Sequence, residues 1–468
     1  MKLKLSMKKK SHEIDMTQGP ILKTMLAVAI PLMVTGVLQL LFNAADSAVL
    51  GKFAGADALA AVGSTMAVVS MLINTFIAIT TGANVLAGQY FGKKDAEGMQ
   101  KCVHSAMAFS LYLGIGVGLL SFFVCGPMLD VMGTDRDVLA DATLYMKIYS
   151  LGVPTSIVYN FGAAILRAVG DTERPMRYLM LAGVVNLILN LITVIIFDMG
   201  VVGVALATVA SQVLSAVLVV RCMMRTEGLS KLELKKAFKM EKEMVTQIIK
   251  IGVPAGLQAF IMSISHVLLA TGYNSLGKEV VAGNSAASNI DSFIYLGMTS
   301  INQTALSFTS QNVGAKNSAR LKRVLSCSLI TVVATGMILS SLAIVFGRPL
   351  LTLFIDKQDA SFEAVMEAGM IRLLYTGIPY FTCGFMDVCT SFLRGMGKSV
   401  SPLIITILGV CVLRVVWVAT IFQIEKFHTL PMLFLCYPIS WLLTGIVQYV
   451  FAQFSFRKLQ KQWKTQAV

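Results

Sequence analysis

The stretch that decides the fold spans residues 30–53 and reads IPLMVTGVLQLLFNAADSAVLGKF. It is long and apolar enough to cross a bilayer core of about 30 Å as a helix. It also contains a proline near its start, Pro31, and a carboxylate at Asp46. An unpaired charge in hydrocarbon costs about 2.5 to 3.5 kcal/mol even on insertion scales, so such an acid is a functional candidate. We therefore expect other helices to give Asp46 a polar partner and a cavity.

The composition of the whole chain is that of a membrane protein. Of its 468 residues, 56% are hydrophobic and only 14% are charged, and the mean hydropathy is +0.74. Soluble domains carry about 25% charged residues. The apolar segments are about twenty residues long and lack the alternation of barrel strands. The sequence therefore predicts an all-α polytopic fold.

Twelve apolar segments are predicted to be transmembrane helices. They lie at 21–44, 58–82, 102–125, 138–166, 176–197, 201–222, 246–271, 281–309, 324–346, 366–393, 402–422 and 430–455. The longest polar interruption, residues 223–245, is predicted to be a cytoplasmic linker, and its KLELKKAFKMEKEM segment could form a short amphipathic helix. Residues 1–20 and 457–468 are predicted to be cytoplasmic tails, because no signal-peptide pattern follows the first lysines.

The net charge of +14 follows the predicted topology and gives no reason to expect a nucleic-acid partner. Twelve helices place roughly thirty of the 39 Lys and Arg on one side, which is therefore predicted to be cytoplasmic. The basic clusters include Lys93, Arg167, Arg320, Arg394 and Arg457, and the opposite loops carry acids such as Asp130, Asp135, Asp141, Asp356, Asp359 and Glu363.

The chain contains an internal repeat of six helices. IPLMVTGVLQ matches VPAGLQAFIM, GQYFGKKDAEGMQK matches SQNVGAKNSARLKR, and GVPTSIVYNFGAAILRAVGDTERP matches GIPYFTCGFMDVCTSFLRGMGKSVSP. The offset stays near 225 residues, as between Pro154 and Pro379. Because six is even, both halves have the same orientation, which predicts two pseudo-symmetric lobes, 21–222 and 246–456, around a central cavity.

These motifs together resemble the multidrug and toxic compound extrusion (MATE) family. The repeated LR-x-x-G-x-x-x-x-P element, the Gln-x-x-Gly ends of the second and eighth helices, the proline-then-aspartate first helix, and NLILN followed by GVVGVALATVASQ carry the resemblance. The resemblance implies twelve helices in two lobes. It also implies export of organic cations or other amphipathic toxicants in exchange for H⁺ or Na⁺.

Asp46 is the predicted ion-coupling residue. Gln39 and Asn43 precede it at i−7 and i−3 and form a polar stripe on one helix face. Apolar surroundings favour the neutral form of a carboxyl group, which suits it to exchange a proton near neutrality. The alternative is that Asp46 lies solvated at the outer membrane boundary.

The family resemblance implies partners for Asp46 in the N-lobe. Asn186 on the fifth helix and Thr208 on the sixth match the family's cation site, but Asn190 stands where a second aspartate is expected. A single carboxylate attracts Na⁺ more weakly, which favours a proton at Asp46. The alternative is that the asparagines only hydrogen-bond between helices.

Pro31 is predicted to kink the first helix, because proline removes a backbone hydrogen bond. In the C-lobe the intramembrane groups Asp387, Arg414, Asp291 and His266 could couple ions. Alternatively, Asp387 and Arg414 form a structural ion pair and His266 is a satisfied interface residue.

Methionine and aromatic side chains suit a cavity that accepts several shapes. The candidate cavity residues are Met33, Tyr159, Met180, Met262, Tyr295 and Met298. The eight scattered cysteines show no metal-binding or redox spacing. We expect no metal and no cofactor other than the coupling ion.

The sequence thus predicts a monomeric secondary active exporter of the cell membrane, with both termini cytoplasmic and amphipathic or cationic substrates. One alternative is a flippase for lipid-linked oligosaccharides or peptidoglycan precursors, although its anionic lipids need several cavity cations and only Arg372 and Arg414 lie within helices. A membrane enzyme is disfavoured because the four histidines are scattered. A passive channel is disfavoured because a paired-lobe repeat suits alternating access.

Overall fold

The computed structural model describes residues 12–233, 236, 238–355 and 360–466, and within these residues the chain forms twelve long helical rods. The N-lobe consists of α1 (Ile21–Val49), α2 (Ala56–Ile79 and Thr81–Lys93), α3 (Ala96–Val131), α4 (Arg136–Ala168), α5 (Glu173–Leu191) and α6 (Gly200–Arg225). The C-lobe consists of α7 (Lys242–Asn274), α8 (Lys278–Gly314), α9 (Ser318–Val345), α10 (Phe362–Arg372 and Tyr380–Gly395), α11 (Val400–Thr406 and Leu413–Ala419) and α12 (Leu430–Thr465). The predicted all-α, two-lobe fold is confirmed.

The helices extend beyond the predicted ends. The prediction ended the first helix at residue 44, but α1 reaches Val49 and continues in a π-helical turn to Ala54. Likewise, α12 continues past the predicted end at 455 to Thr465. Hydropathy reports only the part of a helix that lies in hydrocarbon, whereas backbone hydrogen bonding continues into the polar region.

By length and composition, nine helical segments of the described residues are apolar enough to cross a membrane. The rods that fall outside this group are α4, α8 and α10. In α8 the reason is a set of buried polar side chains, which includes Asn284, Asp291, Asn302, Gln311 and Asn312. These groups are buried within the protein, so α8 can be polar and still lie among the membrane-spanning helices.

The linker between the lobes is shorter than predicted. The helix α6 runs to Arg225 and α7 begins at Lys242, so the last part of the KLELKKAFKMEKEM segment belongs to α7. The rest of that segment forms no α-helix in its described residues, and positions 234, 235 and 237 lie outside the description, as do 1–11, 467–468 and the predicted outer acids Asp356 and Asp359. Glu233 accepts a hydrogen bond from Lys236, which lowers the pKa of its carboxyl group.

Helix α1 contributes to the hydrophobic cores of both lobes. Its first half places Met25, Val28 and Ala29 in a core cluster with residues of α8, α9 and α10. Its last residue, Val49, packs with Leu50 in a cluster of N-lobe residues from α2 to α6. A movement of α1 therefore affects the packing of both lobes.

The two lobes meet closely on the side that carries the basic clusters, which we call the basic face. A Cβ atom on Gly92 would lie 1.9 Å from the carbonyl oxygen of Gln311, and one on Gly314 would lie 2.0 Å from that of Gln89. The two Gln-x-x-Gly motifs of the repeat therefore cross each other. Only glycine permits this backbone approach, because any side chain would overlap the facing carbonyl.

The glutamines of these motifs also join the lobes. The Nε2 of Gln89 donates to the carbonyl of Gly395 at 3.0 Å, and the Nε2 of Gln311 donates to that of Ala168 at 2.7 Å. Ala168 and Gly395 each follow the arginine of the LR-x-x-G element. Motifs that are far apart in sequence thus form one pseudo-symmetric contact, which we call the crossing.

The segment before α1 is packed against the crossing, which the prediction of a simple tail did not include. Met16 is completely buried, its N–H donates to Gln311 Oε1 at 2.8 Å, and its carbonyl accepts from Asn312 and Arg320. Ile14 donates to the carbonyl of Val169 at 2.8 Å. Residues 14–19 therefore tie the basic ends of both lobes together.

Candidate functional site

Helices α1 and α5 run side by side in the same direction and hold the candidate site of the N-lobe. The Thr172 hydroxyl donates to the carbonyl of Val28 at 3.0 Å, and the Asn190 amide donates to Asp46 Oδ1 at 2.5 Å. Both contacts join residues 144 positions apart. The register is therefore constant along the pair, and it sets the amide of Asn190 against Asp46.

Asp46 is half-buried inside the helical rod. The carboxylate accepts its hydrogen bond from a neutral amide, and among the described residues no lysine or arginine lies within 4 Å of it. Tyr145 is near enough to interact with its charge. The prediction placed Asp46 two residues beyond the end of its helix, and the longer α1 instead places it within the rod.

Asn186 and Asn190 are both buried and bonded to each other. The Nδ2 of Asn190 also approaches Asn186 Oδ1 at 3.3 Å, while Asn190 Oδ1 is buried without a hydrogen-bond partner in the described part of the chain. Thr208 lies on α6, and among the described residues its hydroxyl is not bonded to Asp46 or either asparagine. The structure therefore brings three of the four predicted residues into one hydrogen-bonded group.

The predicted polar stripe of α1 lies next to open space. Gln39 and Asn43 are exposed, whereas Gly36 on the same helix packs against Leu296 of α8. Pro31 lines a cavity of about 420 Å³ together with residues of α5, so α1 has room to bend there. At the edge of this cavity Asp171 pairs with Arg174, and burial raises the pKa of the Asp171 carboxyl despite that pair.

The charged groups of the C-lobe are paired differently from the prediction. Asp291 forms an ion pair with Arg372, at 2.9 Å between Oδ2 and Nε, and Arg372 also bonds to Asn284. Asp387 accepts from Asn302 Nδ2 at 3.3 Å. The predicted pair between Asp387 and Arg414 is wrong, because α12 supplies Ser440 as the hydrogen-bond partner of Arg414 instead.

Every π-helical turn in the described residues lies beside a polar or charged interior group. The turn Leu50–Ala54 follows Asp46, Ile192–Ile196 follows Asn190, Leu373–Gly377 follows Arg372, and Ile407–Val412 precedes Arg414. Such turns occur frequently at functional sites, because they shift the side-chain register. Sequence reasoning missed this feature.

Comparisons with known proteins identify the family. The MatE family matches residues 31–192 and 254–420, which is more than half of the chain. The chain belongs to the MatE family. It is accordingly a membrane transporter and not an enzyme, and the resemblance inferred from the motifs is confirmed.

Curated members of the MatE family align along most of their length. The chain is 27% identical over 400 residues to "Probable multidrug resistance protein YpnP" of Bacillus subtilis (strain 168), which covers 86% of this chain and 88% of the relative. It is 26% identical over 446 residues to "Probable multidrug resistance protein YoeA" of the same strain, covering 94% and 95%. It is 25% identical over 376 residues to "Multidrug export protein MepA" of Staphylococcus aureus (strain MW2), covering 79% and 82%.

Solved MatE-type structures share the fold. The outward-facing conformation of a multidrug resistance MATE family transporter of the MOP superfamily has a TM-score of 0.88 at 22% identity, covering 97% of this chain and 100% of that chain. The crystal structure of MATE in the bent conformation has a TM-score of 0.87 at 22% identity, covering 96% and 98%. Neither the family match nor the relatives' names favour the flippase alternative.

The predicted cavity residues of this MatE protein have different surroundings. Met180 and Tyr295 are exposed, and Met33 and Met262 are partly buried. Met298 is completely buried between α9 and α10, and Tyr159 is buried with its hydroxyl bonded to the carbonyl of Pro175. The cavity prediction for Met298 and Tyr159 does not fit this structure, because both fill helix interfaces.

Proposed function

We propose that this transporter exports organic cations or other amphipathic compounds across the plasma membrane in exchange for a proton that binds Asp46. The proposal rests on the surroundings of Asp46. Its half-buried carboxylate accepts a hydrogen bond from the Asn190 amide and has no cation within ion-pair distance in the described residues. Proton binding neutralises such a group without any other ligand. The names of the bacterial relatives support drug export and the plasma membrane as its place.

Sodium is the second candidate for the coupling ion. Asn190 Oδ1 is buried and unpaired in the described part of the chain, and with Asp46 and Asn186 it could contribute to a set of oxygen ligands. A single carboxylate attracts a cation more weakly than two, however, which favours the proton. A proton gradient and a sodium gradient can be imposed separately, so an experiment can distinguish which of the two ions drives transport.

The coupling step uses α1 as the connection between the lobes. Protonation neutralises the carboxylate of Asp46, which accepts the hydrogen bond from Asn190. Asp46 lies near the end of α1 that packs in the N-lobe core. The other end packs in the C-lobe core, and Pro31 with its adjoining cavity lies between them. A change in the angle of α1 would therefore alter the contact between the lobes, and the ion drives the cycle through its different affinity for the two states.

The crossing closes the basic face in this structure, whereas Gln39 and Asn43 of α1 remain exposed. If the basic face is cytoplasmic, as its charges predict, this state opens outward. Export then requires the crossing to open once in each cycle.

The test is transport by purified protein in vesicles, with proton and sodium gradients imposed separately and a cationic dye as substrate. We expect Asp46→Asn to lower proton-driven dye transport at least about tenfold, because a coupling group that cannot ionise removes the differential affinity. Asp57→Asn is the matched control, since Asp57 is an exposed acid at the start of α2.

Undiminished proton-driven transport by Asp46→Asn would refute the role of Asp46. Transport driven by sodium alone would replace the proton with Na⁺. No dye transport by the wild-type protein under either gradient would refute the export of cations.

A further inference from the structure

The C-lobe contains a cation whose charge nothing in the described residues balances. Arg414 is completely buried in α11, and no described carboxylate lies within 4 Å of its guanidinium. Its Nε donates to Ser440 Oγ at 2.9 Å, while Nη1 and Nη2 are buried without hydrogen-bond partners. A buried guanidinium normally has both a counter-charge and acceptors for its N–H groups. Arg414 lacks both.

Aromatic side chains of α12 define the surroundings of this group. The guanidinium carbon lies 4.2 Å from the ring centroid of Tyr437 and 5.4 Å from that of Trp441. Such contacts stabilise a cation but accept no hydrogen bond from the terminal N–H groups. We call Arg414, Tyr437, Ser440 and Trp441 the Arg414 box.

The two aspartates predicted inside the C-lobe helices, Asp291 and Asp387, are engaged elsewhere. Asp291 is paired with Arg372, and Asp387 accepts from Asn302 and interacts electrostatically with Arg394. His266 lies within electrostatic reach of Arg414 and Arg372 and brings no negative charge. The box is therefore a site of net positive charge.

The fold itself does not require an arginine at this position. The repeat places Leu187 of α5 at the position that corresponds to Arg414, because Pro175 and Pro402 have the same spacing to these residues. Leu187 packs against the N-lobe core cluster. A π-helical turn, Ile407–Val412, also ends two residues before Arg414, as such turns adjoin the polar groups of the N-lobe site.

From these observations we infer that the Arg414 box binds a small monovalent anionic group, either a halide ion or the carboxylate of a ligand. The two terminal nitrogens of Arg414 offer parallel donors, which match a planar carboxylate, and their charge also attracts a spherical anion. The inference stands independently of the coupling role proposed for Asp46.

The binding experiment uses the full chain in detergent with Trp441 as the reporter. The other two of the three tryptophans are removed by Trp417→Phe and Trp463→Phe. Chloride and acetate are titrated at constant ionic strength against isethionate, whose bulk does not suit an enclosed box. We expect a saturable change in Trp441 emission with chloride, acetate or both, and at least about tenfold weaker binding in Arg414→Gln.

Arg414→Lys separates the two anion sources. Lysine keeps the positive charge but lacks the two parallel N–H donors of the guanidinium. Chloride binding should therefore survive in Arg414→Lys if a halide occupies the box. Acetate binding should fall about tenfold if a carboxylate occupies it. If Arg414→Gln fails to fold, the anion titrations of the parent protein and of Arg414→Lys test the inference. The absence of any saturable response in the parent protein, or an unchanged response in Arg414→Gln, would overturn the inference.

Discussion

The two lobes have the same helical scaffold but carry different charged groups in their interiors. In the N-lobe the pair α1 and α5 presents Asp46, Asn186 and Asn190, and the repeat places Leu269, Leu413 and Trp417 at the corresponding positions of α7 and α11. In the C-lobe the interior charges include Asp387, the Asp291–Arg372 pair and Arg414, which has no carboxylate within 4 Å in the described residues.

This difference shows that the repeat preserves the residues of the crossing, which join the lobes, but not the polar residues inside each lobe. The crossing uses equivalent residues from both halves, Gln89 with Gly92 and Gln311 with Gly314. The coupling site proposed at Asp46 lies in one lobe, so an ion bound there would act on one side of a symmetric joint.

The largest loss of stability is expected from breaking the C-lobe ion pair. Arg372→Met should lower stability by about 3 to 5 kcal/mol, because it leaves Asp291 as an uncompensated buried charge. Thermal unfolding in detergent measures the loss. The double variant Arg372→Met/Asp291→Leu should recover most of it, and a double variant as unstable as the single one would show that the pair is not what Arg372 contributes.

Adding a methyl group at the crossing should have the next largest effect, and it should be alike in both lobes. Gly92→Ala and Gly314→Ala would each overlap a facing carbonyl and should destabilise the closed basic face by about 1 to 3 kcal/mol. Thermal unfolding and dye transport measure this. Gly116→Ala is the control, since a Cβ there meets nothing within 4 Å. If both variants behaved like the control, the lobes would not approach as described.

The glutamines of the crossing should differ from each other. Gln89→Ala removes one hydrogen bond, which contributes about 0.5 to 1.5 kcal/mol. Gln311 is completely buried and also accepts from Met16, so Gln311→Ala should have the larger effect, about 1 to 3 kcal/mol. The comparison is made by thermal unfolding of both variants. Equal losses would mean that residues 14–19 add nothing to the closure.

Placing a second acid in the N-lobe should change the ion preference of the site. Asn190→Asp puts another carboxylate beside Asp46 and should strengthen Na⁺ binding several-fold, because two like charges in contact favour a bound cation. Thermal shift with Na⁺ against choline measures it. Asn43→Asp, on the exposed stripe of α1, is the control. Sodium binding that is no stronger in Asn190→Asp than in the control would place the cation site elsewhere.

The class of fold, the number of helices, the repeat and the family follow from the amino-acid sequence alone. They do so because a helix that crosses hydrocarbon must be apolar over about twenty residues, and because the repeated motifs are local. The sequence also singled out Asp46, since an acid in an apolar segment stands out against its neighbours.

Which polar groups meet depends on the tertiary structure. The register of α1 against α5 selects Asn190 as the partner of Asp46. The packing of α8 against α10 pairs Asp291 with Arg372, and the packing of α11 against α12 places Ser440 beside Arg414. Pairing depends on distances between helices far apart in sequence, which hydropathy and spacing do not contain. For the same reason, the crossing of the two Gln-x-x-Gly motifs was visible as a repeat but not as a contact.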